Sequence, residues 1–355
     1  MEYIKQQLKN LLSIPSPSGF TRKAADYIMD ELKTLGYEPY MTTKGCVGVC
    51  LGGEGNPILL GAHVDTLGGM VAEIKGSGAL RITNIGGLNA NNVEAENCTI
   101  FTRDGRSYTG VCQLIDASIH GNKEYSVNKH LNRVKGALCV AVYSDTKRTF
   151  NTVEVLIDEI VESKDDVKKL GISVGDYVCF DPRTTITESG FIKSRFLDDK
   201  LSAAILLGYA KRLKDANKAP ARRVYLYFTV YEEVGHGGAS GMPEGLNEII
   251  AVDMGCVGHG LECKETQVSI CAKDSSGPSD YALTTRLINA AKAAGVDYAV
   301  DIYPSYGSDM DVALRSGIDA AHCVIGSGVY ASHGYERTHM NGVIGTLKLI
   351  EKYIG

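Results

Sequence analysis

The chain has 355 residues, 44% hydrophobic and 22% charged, with a formal net charge of -5 and a pI near 5.9. That length exceeds what a single hydrophobic core usually organises, so two domains are expected, and the composition is that of a globular protein. The acidic balance argues against nucleic acid or an anionic membrane as partner. The lack of a span-length apolar run, together with an N-terminus Met1-Glu-Tyr-Ile-Lys-Gln-Gln unlike a signal peptide, predicts a cytoplasmic protein.

In chain order, Ile4, Leu8, Leu11 and Leu12 repeat at helical spacing until the Ser13-Ile-Pro15-Ser-Pro17 stretch breaks the pattern. A second helix is expected from about Thr21, burying Ala25, Ile28, Met29, Leu32 and Leu35, with Gly36 as its cap. Short apolar runs at 46–51 and 57–60 read as strands, and the second leads directly into Gly61-Ala-His63-Val-Asp65. Residues two apart on a strand face the same side, so Asp65 would either bind a metal or orient the His63 imidazole.

From about residue 70 to 180 the texture becomes strand-rich. Runs at 70–75, 79–85, 98–103, 107–112, 153–157 and 176–180 alternate around hairpin turns such as Gly76-Ser-Gly78 and Asp104-Gly105, with a short charged helix from Ser163 to Leu170. The polar, basic stretch 121–134 reads as a loop. Residues 68–183 are therefore expected to form a small inserted β-domain, and 1–67 with 184–355 a discontinuous catalytic domain. The cysteines, ten in all, are scattered from Cys46 to Cys323 without a Cys-x-x-Cys pair, and read as reduced, mostly buried thiols.

Past the insert, Phe196-Leu-Asp198-Asp199-Lys200 opens an apolar helix, where capping accounts for one aspartate and leaves the other free for a metal role. The run Tyr225 to Tyr231 reads as a buried strand ending in Glu232 and Glu233, which on an extended segment point to opposite sides and so divide ligand and proton-transfer roles. Ile249 to Val252 ends likewise in Asp253. Helices at 280–294 and 309–316, a strand at 320–325, the loop carrying His333 and a terminal helix from about Asn341 complete the chain. His63, Asp65, Asp198, Glu232, Glu233, Asp253 and His333 thus fall at strand ends and helix starts, where α/β sheets bind ligands. Imidazoles and carboxylates without thiolates suit a catalytic zinc, cobalt or manganese site, and their number suffices for two metals.

Gly61-Ala-His63-Val-Asp65, Leu197-Asp198-Asp199-Lys200, Thr229-Val-Tyr-Glu232-Glu233-Val-Gly, Val252-Asp253-Met and Ser332-His333 resemble, in order, the signature segments of the tetrahedral aminopeptidases, dinuclear metallopeptidases related to glutamyl aminopeptidase. Gly69-Met-Val-Ala-Glu-Ile and Leu170-Gly-Ile-Ser-Val-Gly-Asp-Tyr-Val extend the likeness to the insert, and Gly307-Ser-Asp309 to the C-terminal part. The resemblance implies a mixed-sheet α/β/α metallopeptidase domain with an inserted β-barrel-like domain. It also implies two divalent metals per subunit: one on His63 and Asp253, the other on Glu233 and His333, with Asp198 bridging.

Glu232 would then be the general base and Asp65 would orient His63. Short peptides are the implied substrates and a homo-oligomer, a tetrahedral dodecamer built from dimers, the implied assembly. Other dinuclear hydrolases (an acyl-amino-acid deacylase or a carboxypeptidase) and a non-catalytic assembly protein remain as alternatives. An endoglucanase, the label of some relatives, is disfavoured, because glycosidases generally use two metal-free carboxylates. Departures from the family pattern are Lys200 and Tyr330 in place of arginines, His236 and Gly237 in the glycine-rich turn, and Glu336 one residue nearer His333 than usual. They bear on substrate preference rather than on the ligands.

Overall fold

The structure is a computed structural model that describes residues 1–115, 117–118 and 147–355; the loop expected over 121–134 lies outside them. Two compact units are present. One comprises Met1–Gly68, Ile85–Leu88 and Pro182–Gly355, the other Gly69–Asn84 and Asn89–Asp181.

The first unit is built on a mixed sheet whose centre is four parallel strands in the order Val224–Thr229, Ile58–His63, Glu248–Val252 and Ala321–Tyr330. Ile58–His63 and Glu248–Val252 are buried at every position, which is why residues 58–60 and 249–252 within them read as unbroken apolar runs. Register aligns their ends, with Thr229 opposite His63 and Val252 opposite Ile325. Antiparallel strands Val47–Gly52, Val268–Lys273 and Glu336–His339 extend the sheet. The helix Leu197–Asp215 packs on Ile58–His63, and Met340–Ile354 and Tyr281–Ala293 pack on Ala321–Tyr330. Ile4, Leu8, Leu11 and Leu12 of the Glu2–Ser13 helix are buried against Leu197–Asp215.

Several sequence expectations need correction. Glu232 and Glu233 do not lie on an extended segment; Tyr231 at φ 72° and Gly235 at φ 81° bracket a single 3-10 turn, Glu232–Val234. Alternation of strand side chains therefore does not separate them, and both line the same cleft. Asp198 and Asp199 have non-helical backbone angles at the start of their helix, so they belong to a turn more than to a regular N-terminus. In the Arg22–Thr34 helix Ala24 joins the buried stripe, whereas Met29, and Leu35 just beyond it, are only partly covered. The strand expected at 320–325 runs on to Tyr330, and strands Val268–Lys273, Tyr298–Ile302 and Glu336–His339 were not foreseen.

The helix Asp309–Arg315 begins at Ser308 with a capping box, in which Asp311 accepts from the Ser308 N–H at 2.9 Å. Asp311 also lies 3.4 Å from His322 Nε2 and is hydrogen-bonded to buried Asp274. Burial and the Asp311 carboxylate push Asp274 up to about 6, while hydrogen bonds to His322 and Asp274 overcome burial and hold Asp311 near about 2. An unfolded aspartate releases its proton near pH 4, so between pH 4 and 6 the folded chain binds the extra proton and stability falls as pH rises. Above about pH 6 the loss is complete. Asp274→Asn should therefore match the parent at pH 4 and exceed it at pH 8 by on the order of 1 kcal/mol. Urea midpoints at the two pH values check this; a variant-to-parent difference that does not change with pH would refute it.

The second unit is a closed six-stranded barrel ordered Gly68–Ile74, Leu80–Ile85, Val153–Ile157, Ser107–Leu114, Glu96–Phe101, Tyr177–Phe180. Every registered pair is antiparallel. Closure removes the exposed edges that a small sheet of this kind would otherwise present. Val71, Ile82, Cys98, Ile100, Cys112, Val155 and Val178 are buried. The charged helix is Lys164–Lys169, capped by the Ser163 hydroxyl on the Asp166 N–H at 3.3 Å. Among the described residues no helix is long and apolar enough to cross a membrane.

Candidate active site

The site lies past the carboxyl ends of the four parallel strands, the position at which open α/β sheets take ligands. His63 ends its strand and Asp65 follows two residues later; Glu232 and Glu233 follow Thr229; Asp253 follows Val252; His333 follows Tyr330. Asp198 enters from the turn before its helix. All seven expected residues converge. A cleft of about 440 Å³ is lined by Asp198, Glu232, Glu233, Asp253 and His333 among others, and among the described residues Arg315 is the only Lys or Arg on its wall.

Asp198 sits between the two histidines, with Oδ1 3.0 Å from His63 Nε2 and Oδ2 3.6 Å from His333 Nε2. Glu233 Oε2 is 3.6 Å from His333 Nε2, and Glu232 Oε2 is 3.7 Å from His63 Nε2. Ligand atoms of His63, Asp198 and Glu233 lie within 4.8 Å of one another, as do those of His63, Asp199 and Asp253.

Asp65 works mainly on its surroundings. The His63 Nδ1 hydrogen bond goes to the Asp65 main-chain oxygen at 2.9 Å, which leaves Nε2 facing the cleft. The Asp65 carboxylate is 3.6 Å from Nδ1 and instead accepts from the N–H groups of Glu232 at 3.0 Å and Glu233 at 3.2 Å, and from Ser18 Oγ at 2.5 Å. It thereby fixes the turn that presents both glutamates.

The electrostatics are those of crowded buried acid. Burial raises the carboxyls of Glu232 and Glu233, and burial together with the Asp198 charge pushes Asp253 up to about 7. Asp198 runs the other way: the hydrogen bond and charge of His63, with His333, outweigh burial and lower it. His63 is raised, because its bond to Asp198 and the surrounding carboxylates overcome desolvation. One carboxylate oxygen, Asp199 Oδ1, is buried with no hydrogen-bond partner. Such a concentration of buried negative groups is costly unless cations compensate it. Two imidazoles with carboxylates and no thiolate are a donor set suited to divalent catalytic metals.

Three further residues take part that sequence reasoning left without a role. Asp199, considered there only as a helix cap, accepts from the His63 main-chain N–H at 3.3 Å. Asp309 accepts from Thr229 Oγ1 and, at 2.6 Å, from the Gly238 N–H, tying the glycine-rich turn to the end of the Val224–Thr229 strand. A side chain at Gly238 would collide with the Asp309 backbone, hence the glycine. Glu336, noticed only for its spacing, is buried and hydrogen-bonded to the main chain of both Asp198 and His333.

The departures from the family pattern also find places. Lys200 is buried and donates to the Ile14 carbonyl at 2.7 Å. His236 stacks on Tyr231 at 4.9 Å, with Lys44 holding the His236 and Gly237 carbonyls. Tyr330 is exposed. His339 caps the terminal helix, its Nδ1 accepting from Asn341 N–H at 3.0 Å.

Solved structures share this fold over nearly the whole chain. The dodecameric PhTET1 structure aligns with a TM-score of 0.80 at 21% identity, covering 100% of this chain and 99% of that one. A TET aminopeptidase from a marine sediment archaeon, Thaumarchaeota archaeon SCGC AB-539-E09, aligns at 0.84 and 18% identity, covering 99% and 96%. An α/β unit with this cluster past its parallel strands, joined to a closed barrel, has the architecture of the tetrahedral aminopeptidases.

The sequence model of the M42 glutamyl aminopeptidase family matches residues 45–349, and the chain belongs to that family of peptide hydrolases. Among curated relatives, YhfE of Bacillus subtilis (strain 168), which bears an aminopeptidase name, is 41% identical over 352 residues, covering 98% of this chain and 96% of that protein. The glutamyl aminopeptidase of Lactococcus lactis subsp. cremoris (strain MG1363) is 27% identical over 237 residues, covering 66% and 61%.

Proposed function

We propose that this aminopeptidase is metal-dependent and removes N-terminal residues from short peptides using two divalent cations, zinc foremost, with cobalt or manganese also suited. His63 and Asp253 would hold one cation, Glu233 and His333 the other, and Asp198 would serve both. Bound there, the pair would polarise the scissile carbonyl and make water a nucleophile near neutral pH. The observation that carries this reading is the Asp198 carboxylate, with one oxygen toward each histidine at 3.0 and 3.6 Å.

Glu232 has no place in that ligand set and is free to take the proton of the attacking water and pass it to the leaving amine. Burial, which raises its carboxyl, suits it to both halves of the transfer. Asp65 holds Glu232 through the turn N–H and fixes His63 through its carbonyl. The carboxylate-rich cleft favours the ammonium of an unblocked N-terminus. An N-acetylated peptide lacks that charge.

Metal-reconstituted protein assayed on a panel of unblocked aminoacyl substrates and short peptides, beside their N-acetylated forms, tests the assignment. Turnover of the unblocked forms alone is expected, with loss on chelation and recovery on adding cation. Preferential release of the acyl group, or of the C-terminal residue, would move the protein to another hydrolase class. Full activity in metal-free protein would remove the cations from the reaction.

We also infer that the barrel unit, which supplies none of the proposed ligands, mediates subunit contacts in a homo-oligomeric, dodecameric particle. The dodecameric PhTET1, and the tetrahedral or octahedral shells described for Pyrococcus horikoshii TET1, support this. Light scattering should give a mass near twelve chains; a fully active particle of one or two chains would sink the assembly proposal and leave the catalytic one intact.

A further inference from the structure

We propose that Glu336 is a positioning residue that holds Asp198 and His333 at the separation the shared cation site requires, by clamping the two turns that carry them. The inference rests on the metal-site reading above and adds to it a residue outside the ligand set.

Two oxygens of one carboxylate serve two different turns. Glu336 Oε2 accepts the Asp198 N–H at 3.1 Å, and Oε1 accepts the His333 N–H at 3.1 Å. The side chain is 2% exposed, so water does not substitute for either bond. Neither turn is held by regular secondary structure: Phe196 has φ 67°, and Ala331 and His333 have φ 59° and 64°. Non-glycine residues in this region are strained and need neighbours that over-determine them. The strands behind the turns, Phe191–Ser194 and Glu336–His339, run antiparallel with Ser194 opposite Glu336, so the carboxylate projects from the one strand toward the turn that follows the other.

The chemistry of substitution follows from the two acceptors. Glutamine keeps one acceptor and sets its NH₂ against the second N–H, so one turn is released. Aspartate keeps the charge but is one methylene short, and cannot reach both turns. If Glu336 supplied only negative charge near the cations, aspartate would be neutral and glutamine would not. Clamping predicts that both fail.

Glu336→Gln and Glu336→Asp are each compared with the parent protein in zinc and cobalt(II) titrations, by cobalt absorption spectrum, and by kcat and KM at saturating cation. The comparison is made on whichever variant retains the parent's circular dichroism. Groups that orient metal ligands typically contribute 10–100-fold in affinity or activity, so about a tenfold or greater weakening of the more weakly held cation is expected. The cobalt spectrum should change, and kcat should fall with KM little altered. A variant with parental affinity for both cations, parental spectrum and parental kcat overturns the clamp. Restoration by aspartate alone overturns it in favour of charge. If the parent itself binds no pair of cations, the metal-site reading fails, an outcome distinct from failure of the clamp in a parent that binds two.

Discussion

Asp198→Ala is expected to release at least one cation and to lower turnover by roughly 10²–10⁴-fold, the loss that follows from leaving a buried charge cluster unpaired. Asp198 reaches both imidazoles, lying 3.0 Å from His63 Nε2 through one oxygen and 3.6 Å from His333 Nε2 through the other. Alanine removes both contacts at once and leaves the two cations without the carboxylate that would neutralise part of the charge of each. Elemental analysis after dialysis, alongside kcat, reads the outcome. Two tightly held cations in the variant would take Asp198 out of its assigned place.

Glu232→Gln should lower kcat by roughly 10²–10⁴-fold while cation content stays at the parental level. The amide preserves shape and leaves the turn N–H to Asp65 undisturbed, since that bond is made by the backbone of residue 232. It cannot accept a proton. The contrast with Asp198→Ala is the informative part, because one variant loses ligand and function together and the other loses function alone. Recovery of the Glu232→Gln variant at high cation concentration would identify Glu232 as a ligand.

Much of this plan was legible in the sequence because apolar runs that stop at a carboxylate or histidine mark the ends of buried parallel strands. His63, Glu232, Glu233 and Asp253 declared themselves in that way. Other features left no such trace. The 3-10 turn at Glu232–Val234 depends on a left-handed Tyr231, and tyrosine gives no signal for that conformation. Glu336 sits in a polar stretch, and its value comes from a neighbour 138 residues away that the chain order does not reveal. The strand Tyr298–Ile302 escaped because it lies at the sheet's margin and inverts the usual pattern, with Val300 and Ile302 exposed while Ala299 and Asp301 are buried. Asp199 was hidden by its partner: of two adjacent aspartates at a helix start, sequence offered capping as a sufficient reason for one.

The distance along the chain between residues that meet in the site sets a schedule for the enzyme's birth. Asp198 follows His63 by 135 residues, and His333 and Glu336 are made later still. At synthesis rates of about 5–20 residues per second, His63 waits roughly seven to thirty seconds for Asp198 to be added. A growing polypeptide that has not yet reached His333 therefore carries only part of the proposed site. Assembly of the proposed cation site therefore waits on the His333 loop, however much of the sheet has already formed.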